Sequence, residues 1–344
     1  MTRKSLVSSD SVAGRDAPDT GRPLLAIGLV SLAMLLFSIN DGGGKYLTAS
    51  FSAPQIIFVR YAVALALLLP LLMYRRGGLS GFLYTSRPML QSLRGLLLAA
   101  SSLLYTFALA DLPLEVCAAI GFMAPLYVTA LSIPLLGEKV GIHRWTAIFV
   151  GFASVLLILR PGTASFQWAM LLPLVSSLSW AVGLILTRMM RDTEAPLTVL
   201  TWSSMVGFIA AAPLAYTVWR VPDLGQWALL ISVALCNAAA QYLVIRAFML
   251  ASASVLAPFS YTTMIWSILI GALVFNSLPD STTFLGMAML ICAGLYVWHR
   301  ERIRKTDPTV PGASIAEAVE PELIVEPELH VDPGSIDTPV DTQR

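Results

Sequence analysis

The stretch LEVCAAIGFMAPLYVTALSIPLL, Leu114–Leu136, is 23 residues long and carries a single charge, Glu115, at its second position. A helix needs about 20 apolar residues, within roughly 17–25, to cross the hydrocarbon core of a bilayer. This run fits that length. Nine more candidates flank it: Leu24–Asn40, Gln55–Tyr74, Gly95–Ala110, His143–Leu159, Trp168–Thr187, Leu197–Trp219, Trp227–Ile245, Ser254–Asn276 and Thr283–Trp298. Most links between them are short and hold Pro, Gly or charge, as in Asp111-Leu112-Pro113, Gly137-Glu138-Lys139, Arg160-Pro161-Gly162 and Leu278-Pro279-Asp280. Links this short force antiparallel neighbours. The Arg75–Arg94 segment is longer and mixed, and reads as interfacial.

Composition agrees. Of 344 residues, 56% are hydrophobic and 12% charged, against about 25% charged in an ordinary globular domain. A soluble chain of this length could not bury that much apolar surface, so lipid is the expected solvent. The net charge of +1 gives no electrostatic case for nucleic acid. Cys117, Cys236 and Cys292 each lie in an apolar run, which implies neither a disulfide framework nor a metal site. They read as packing residues.

Basic residues orient the chain. With the amino terminus in the cytoplasm, 17 of the 22 Lys and Arg fall on the cytoplasmic side and three, Lys45, Arg160 and Arg220, on the other. The positive-inside rule then puts both termini in the cytoplasm. Residues 1–22 form a polar arm, and the first apolar run reads as a retained signal anchor. Residues 305–344 form a tail that, from Thr306 on, holds nine acids and one base with repeated Glu-Pro units, and it reads as disordered.

A repeat spans half the chain. At an offset of 139, the run from Ala108 falls on the run from Ala247: Tyr127 on Trp266, Leu131 on Ile270, Leu135 on Val274 and Leu136 on Phe275. Residues 23–162 and 163–304 would then hold five helices each. Five is odd, so the second set starts on the opposite face. The expected fold is an all-α polytopic membrane protein of ten transmembrane helices in two inverted five-helix repeats. Inverted repeats with a site between them are a transporter design; duplication without functional meaning is the alternative.

The chain resembles the drug/metabolite transporter superfamily, EamA type. The matching stretches are Phe37-Ser38-Ile39-Asn40-Asp41 with Lys45-Tyr46-Leu47, Phe58-Val59-Arg60, Ala124-Pro125-Leu126 leading to Leu136-Gly137-Glu138-Lys139, and Gly151-Phe152 leading to Leu157–Gly162. In the second half they are Ala251–Tyr261, Val274-Phe275 to Leu278-Pro279-Asp280, Gly286 and Gly294-Leu295-Tyr296. Where the family usually repeats an acid in the second half, Asn276-Ser277 stands instead. The resemblance implies secondary transport of a metabolite, such as an amino acid, a nucleotide-like compound or a vitamin, in a bacterial inner membrane. Riboflavin and S-adenosylmethionine carriers are similar in overall style.

Several polar residues within the spans are site candidates. A charge there costs about 2.5–3.5 kcal/mol at mid-helix on insertion scales, so Arg60 needs a reason: a substrate contact, or a structural pairing with Asp41. Asp41 and Lys45 are four residues apart, the spacing of a same-face pair. The glycines between them, Gly42-Gly43-Gly44, would permit an unwound turn or a close helix crossing. Trp180, Asn237, Gln241, Tyr261 and Trp266 would suit a planar, hydrogen-bonding solute, with packing as the alternative role. Glu115 begins a helix, where a carboxylate suits the dipole; coupling to a proton is the alternative. His143, His299 and His330 lie at or beyond span ends, so no intramembrane metal site is expected, and no cofactor. The expected partners are a small solute and lipid, with a proton or other ion as an option for coupling. No nucleotide-hydrolysis loop of the Gly-x-x-x-x-Gly-Lys type occurs. Two rivals remain beside a secondary transporter: a membrane scaffold or regulator acting through the acidic tail, and an embedded enzyme acting on lipid-linked substrates.

Overall fold

A computed structural model describes residues 23–76, 85–136, 142–190, 193–251 and 253–305. The amino-terminal arm, the acidic tail from residue 306 and the Gly137-Glu138-Lys139 link lie outside the described residues. The described chain is helical: α1 (Pro23–Thr48), α2 (Ala53–Arg76), α3 (Pro88–Asp111), α4 (Leu114–Gly121), α5 (Ala124–Leu136), α6 (Ile142–Leu159), α7 (Leu171–Met189), α8 (Pro196–Thr217), α9 (Leu224–Leu250), α10 (Ala253–Ser260), α11 (Thr262–Phe275) and α12 (Ser281–Lys305). Among the described residues nine stretches are long and apolar enough to cross a membrane, and Trp145–Leu159 in α6 is a shorter apolar helix, the tenth of the set. The fourth and ninth spans are each two helices end to end, α4–α5 and α10–α11.

Sequence explains where the helices start and break. Pro88 and Pro196 open α3 and α8 at first-turn positions, where a missing N–H costs nothing. At the start of α9, Asp223 accepts from the Gln226 backbone at 2.8 Å while the Gln226 side chain accepts from the Asp223 backbone at 3.0 Å, a capping box. Pro125 has no N–H for the Gly121 carbonyl, and the fourth span turns at Phe122-Met123.

The repeat is visible in the helix bounds. Leu114 and Ala253, Gly121 and Ser260, Leu136 and Phe275, and Ile142 and Ser281 are each 139 positions apart and begin or end equivalent helices. Packing repeats too. α1 lies on α9, and their equivalents α7 and α3 lie on each other; α2 pairs with its own equivalent α8, and α6 with α12. Ten antiparallel spans put residues 23 and 305 at one face, the terminal face, and Lys45, Arg160, Arg220 and Asp280 at the far face.

One pair breaks the symmetry. At the far face α4 packs on α11, whereas among the described residues the equivalent pair at the terminal face, α5 and α10, makes no contact of that extent.

One open alternative is decided and two expectations are corrected. The Gly42-Gly43-Gly44 run does not unwind, since α1 is continuous through it. It permits a close crossing instead: a Cβ on Gly43 would stand 2.5 Å from Val233 Cγ2, and one on Gly42 2.8 Å from Ile270 Cγ2. Arg94 and Arg246, counted with the links, lie inside α3 and α9. Arg94 is buried within the bundle because its guanidinium is supplied there: it donates to Thr187 Oγ1 at 2.5 Å, to the Val199 carbonyl at 3.3 Å and to Ser203 Oγ.

Candidate functional site between the two repeats

A cavity of about 350 Å³ lies between the repeats. α1 contributes Asp41 and α3 contributes Tyr105; the α4–α5 break gives Phe122, Ala124, Pro125 and Val128. From the second repeat come Trp180, Leu184, Ile185 and Arg188 of α7, and Thr263 of α11. The wall is mostly apolar with a few convergent polar groups, as solute pockets usually are, and its volume falls within their customary 300–1,000 Å³.

The breaks in the two split spans meet at this wall. Phe122, at the α4–α5 turn, stacks on Tyr261, at the α10–α11 turn, with ring centroids 5.2 Å apart. These two residues are again 139 positions apart, as are Asp41 and Trp180. Ser101 of α3 and Ser176 of α7 exchange hydrogen bonds at 2.8 and 2.9 Å, and Ser38 of α1 donates to the Thr263 carbonyl at 3.2 Å. The repeats are therefore tied together beside the cavity by small hydroxyls.

The candidate residues separate clearly. Asp41 and Trp180 line the cavity. Asp41 Oδ1 accepts from Asn40 Nδ2 at 2.9 Å, and Oδ2 from the Tyr105 hydroxyl at 3.2 Å. Lys45 does not pair with Asp41. Its ammonium donates to the Leu109 and Leu112 carbonyls at 2.9 and 2.6 Å, which caps the end of α3, and it sits over the Phe275 ring. Arg60 lines a separate pocket of about 20 Å³ behind Asp41, together with Asn40, Tyr105 and Thr106. Tyr261 stands behind Phe122, one layer from the cavity. Asn237, Gln241 and Trp266 line neither pocket; Gln241 is exposed, and the buried Trp266 Nε1 has no hydrogen-bond partner. Glu115 is 1% exposed and accepts from Ser277 Oγ at 3.3 Å, where α4 meets the end of α11. Among the described residues no group of three metal-ligating side chains occurs.

Tyr105, Phe122, Arg188 and Thr263 were not among the candidates. The 139-residue offset could have found Phe122 from Tyr261. Nothing local marks Tyr105 or Thr263, and Arg188 reads as a link residue by charge alone.

Polar contacts join the repeats at both faces. Gln55, at the entry of α2, donates to the Arg220 carbonyl at 2.6 Å and accepts from the Arg220 N–H at 3.0 Å. Glu194, 139 positions on and just before α8, accepts from Thr85 Oγ1, Ser86 N and Ser86 Oγ at 2.5, 2.7 and 2.8 Å, and from Arg87 N at 3.3 Å. Burial alone would raise the Glu194 carboxyl; these bonds outweigh it and hold the group below the usual range. At the far face Arg160 bridges to Asp280 and donates to Thr283. The Arg160 bond, with help from Thr283 and Thr282, holds the exposed Asp280 carboxyl well below its ordinary value.

Among the described residues, nine spans able to cross a membrane and a tenth shorter apolar helix, in two repeats with a solute-sized cavity at their seam, make an architecture suited to a membrane transporter. The EamA-like transporter family model matches residues 24–160 and 167–298, one copy for each repeat, and the chain belongs to that family. An S-adenosylmethionine uptake transporter of Rickettsia bellii (strain RML369-C) is 28% identical over 81% of this chain and 94% of its own length. A riboflavin transporter of Vibrio cholerae serotype O1 is 29% identical over 79% of this chain and 93% of its own. The pseudopaline exporter CntI of Pseudomonas aeruginosa (strain UCBPP-PA14) is 27% identical over 77% and 93%. A crystal structure superposes with a TM-score of 0.57 at 16% identity, covering 82% of this chain and 99% of that one, which supports the fold. The chain is thus a secondary transporter of a small metabolite.

Proposed function

We propose that the chain carries a nucleoside- or flavin-sized metabolite, S-adenosylmethionine or riboflavin in kind, through the inter-repeat cavity by alternating access in a bacterial inner membrane. The observation that carries this reading is the cavity itself, walled by both repeats at the point where two spans break. Its size suits such a solute, and Trp180, Tyr105 and Phe122 bring aromatic rings to its wall, which suit a flat one.

The broken symmetry supplies a mechanism. With α4 packed on α11 and no contact of that extent between α5 and α10 among the described residues, we read the cavity as shut toward the far face and open toward the terminal face. Exchange of those two contacts would open the other side, which is alternating access by rocking of one repeat on the other. The basic residues support a cytoplasmic terminal face, so this state faces the cytoplasm. Glu115 at the closing contact, with Ser277 as its partner, is the candidate for coupling to a proton.

Related chains named for uptake and for export leave direction open to measurement. Proteoliposomes holding the full chain should accumulate labelled S-adenosylmethionine or riboflavin saturably, and a chain truncated after Lys305 should do the same. Uptake no faster than in empty liposomes for both solutes would reject the substrate reading. Loss of function on truncation alone would favour the scaffold reading.

A further inference from the structure

We infer that the solute is an organic cation, a sulfonium or ammonium compound, whose charged centre docks on Asp41. This deepens the transporter reading above and rests on it.

Asp41 sits in a membrane-spanning helix and faces the cavity. A carboxylate at that depth is costly unless something compensates it. The structure gives it two neutral donors, the Asn40 amide and the Tyr105 hydroxyl. No base lines the cavity beside it. Lys45, one turn away, is drawn off by the terminal carbonyls of α3. Arg94 is committed to Thr187, Val199 and Ser203. Arg60 shares the small pocket behind Asp41, where its charge acts on the carboxylate from the side away from the solute; among the described residues no ion pair joins the two, and Arg60 does not line the cavity.

Arg188 enters the cavity from its far end. Ser176 of α7 is level with Ser101, one turn from Tyr105, and Arg188 lies twelve residues further along α7. At 1.5 Å of rise per residue that is roughly 18 Å. The cavity is therefore negative at the Asp41 end, and the rings of Tyr105, Phe122 and Trp180 line the space between. Aromatic faces attract cations, more strongly when water is excluded. A neutral flat solute would leave the cavity side of the carboxylate without a counter-charge, and an anion would be repelled. An organic cation satisfies the carboxylate and the rings together.

S-adenosylmethionine and S-adenosylhomocysteine differ by one methyl group and the sulfonium charge, so they isolate this contact. Each is titrated against the purified full-length protein, with thermal stability of every variant recorded beside affinity. The wild type should bind the sulfonium compound at least about tenfold tighter, the scale of a close charge pair in a desolvated site. Asp41→Asn should bring the ratio to about one, and Asp41→Glu should keep a preference. The wild-type ratio needs no variant, so the inference stays testable if Asp41→Asn fails to fold. Equal wild-type affinities, an undiminished ratio in folded Asp41→Asn, or no binding of S-adenosylmethionine would each overturn it. If riboflavin binds and is carried where S-adenosylmethionine is not, the cation inference falls while the transporter reading stands; if none of the three binds or is carried, both fall.

Discussion

Replacing Lys45 with Met separates a structural cation from a solute-binding one. Its ammonium makes two hydrogen bonds, to the Leu109 and Leu112 carbonyls. A bond to a charged donor contributes about 1.5–3 kcal/mol, so the pair contributes about 3–6 kcal/mol. Removing a charge from mid-helix returns roughly 2.5–3.5 kcal/mol, and less in the last turn of α1, where Lys45 sits. At the middle of both ranges the remainder, about 1–2 kcal/mol of lost stability, is the least cost expected of Lys45→Met. Methionine keeps most of the stem, so packing against Phe275 should survive. Thermal unfolding of the detergent-solubilised protein should show a fall of a few degrees. Solute affinity, followed by titration, should change less than about threefold, because Lys45 does not line the cavity. An unchanged melting temperature together with lost binding would refute the reasoning and make Lys45 a solute contact.

A Cβ on Gly294 would stand 1.5 Å from the Tyr261 hydroxyl, so Gly294→Ala should push Tyr261 off Phe122, cost about 1–3 kcal/mol and weaken solute binding, while Gly294→Ala with Tyr261→Leu should recover part of the melting temperature. Glu194→Ala should cost about 1–2 kcal/mol in thermal unfolding, since Glu194 is nearly buried and its bonds join the repeats. Glu194 and Asp280 both have depressed carboxyls, so their stabilisation is fully present above the ordinary carboxylate value near 4 and is lost as pH falls below it. Melting temperature should drop on acidification through that window, and less so in Glu194→Gln. Arg94→Met should be tolerated better than Arg94→Ala in thermal unfolding, because Met fills the buried channel between α3, α7 and α8 and removes the charge along with the fork.

The membrane architecture was readable because the bilayer imposes it: apolar length, short polar links and basic asymmetry are large signals. The repeat was readable from one offset, and the helix ends carry the same 139 residues. The breaks in the fourth and ninth spans were not, since hydropathy averages over a turn, and the proline that helps end α4 also suits the start of α5. Side-chain direction was the other blind spot. Spacing put Lys45 on the face of Asp41, but the free carbonyls ending α3 offered it two bonds, and a lysine stem is long enough to reach them. Arg94 and Arg188 read as link charges because their partners, Thr187 and Ser203 for Arg94 and the cavity for Arg188, come from parts of the chain distant in sequence. Asp41 and Trp180 were legible as polar or aromatic groups within spans, and they are the two sequence candidates that line the cavity.

That the solute passes through the inter-repeat cavity can be measured at Leu184, which lines it on α7. A cysteine is introduced by Leu184→Cys in a Cys236→Ser, Cys292→Ser background, where the half-buried and exposed native thiols are gone and Cys117 remains buried. A bulky thiol reagent should label the new side chain and abolish uptake into proteoliposomes, and saturating transported solute should slow the labelling. Complete labelling with uptake undiminished would contradict the account.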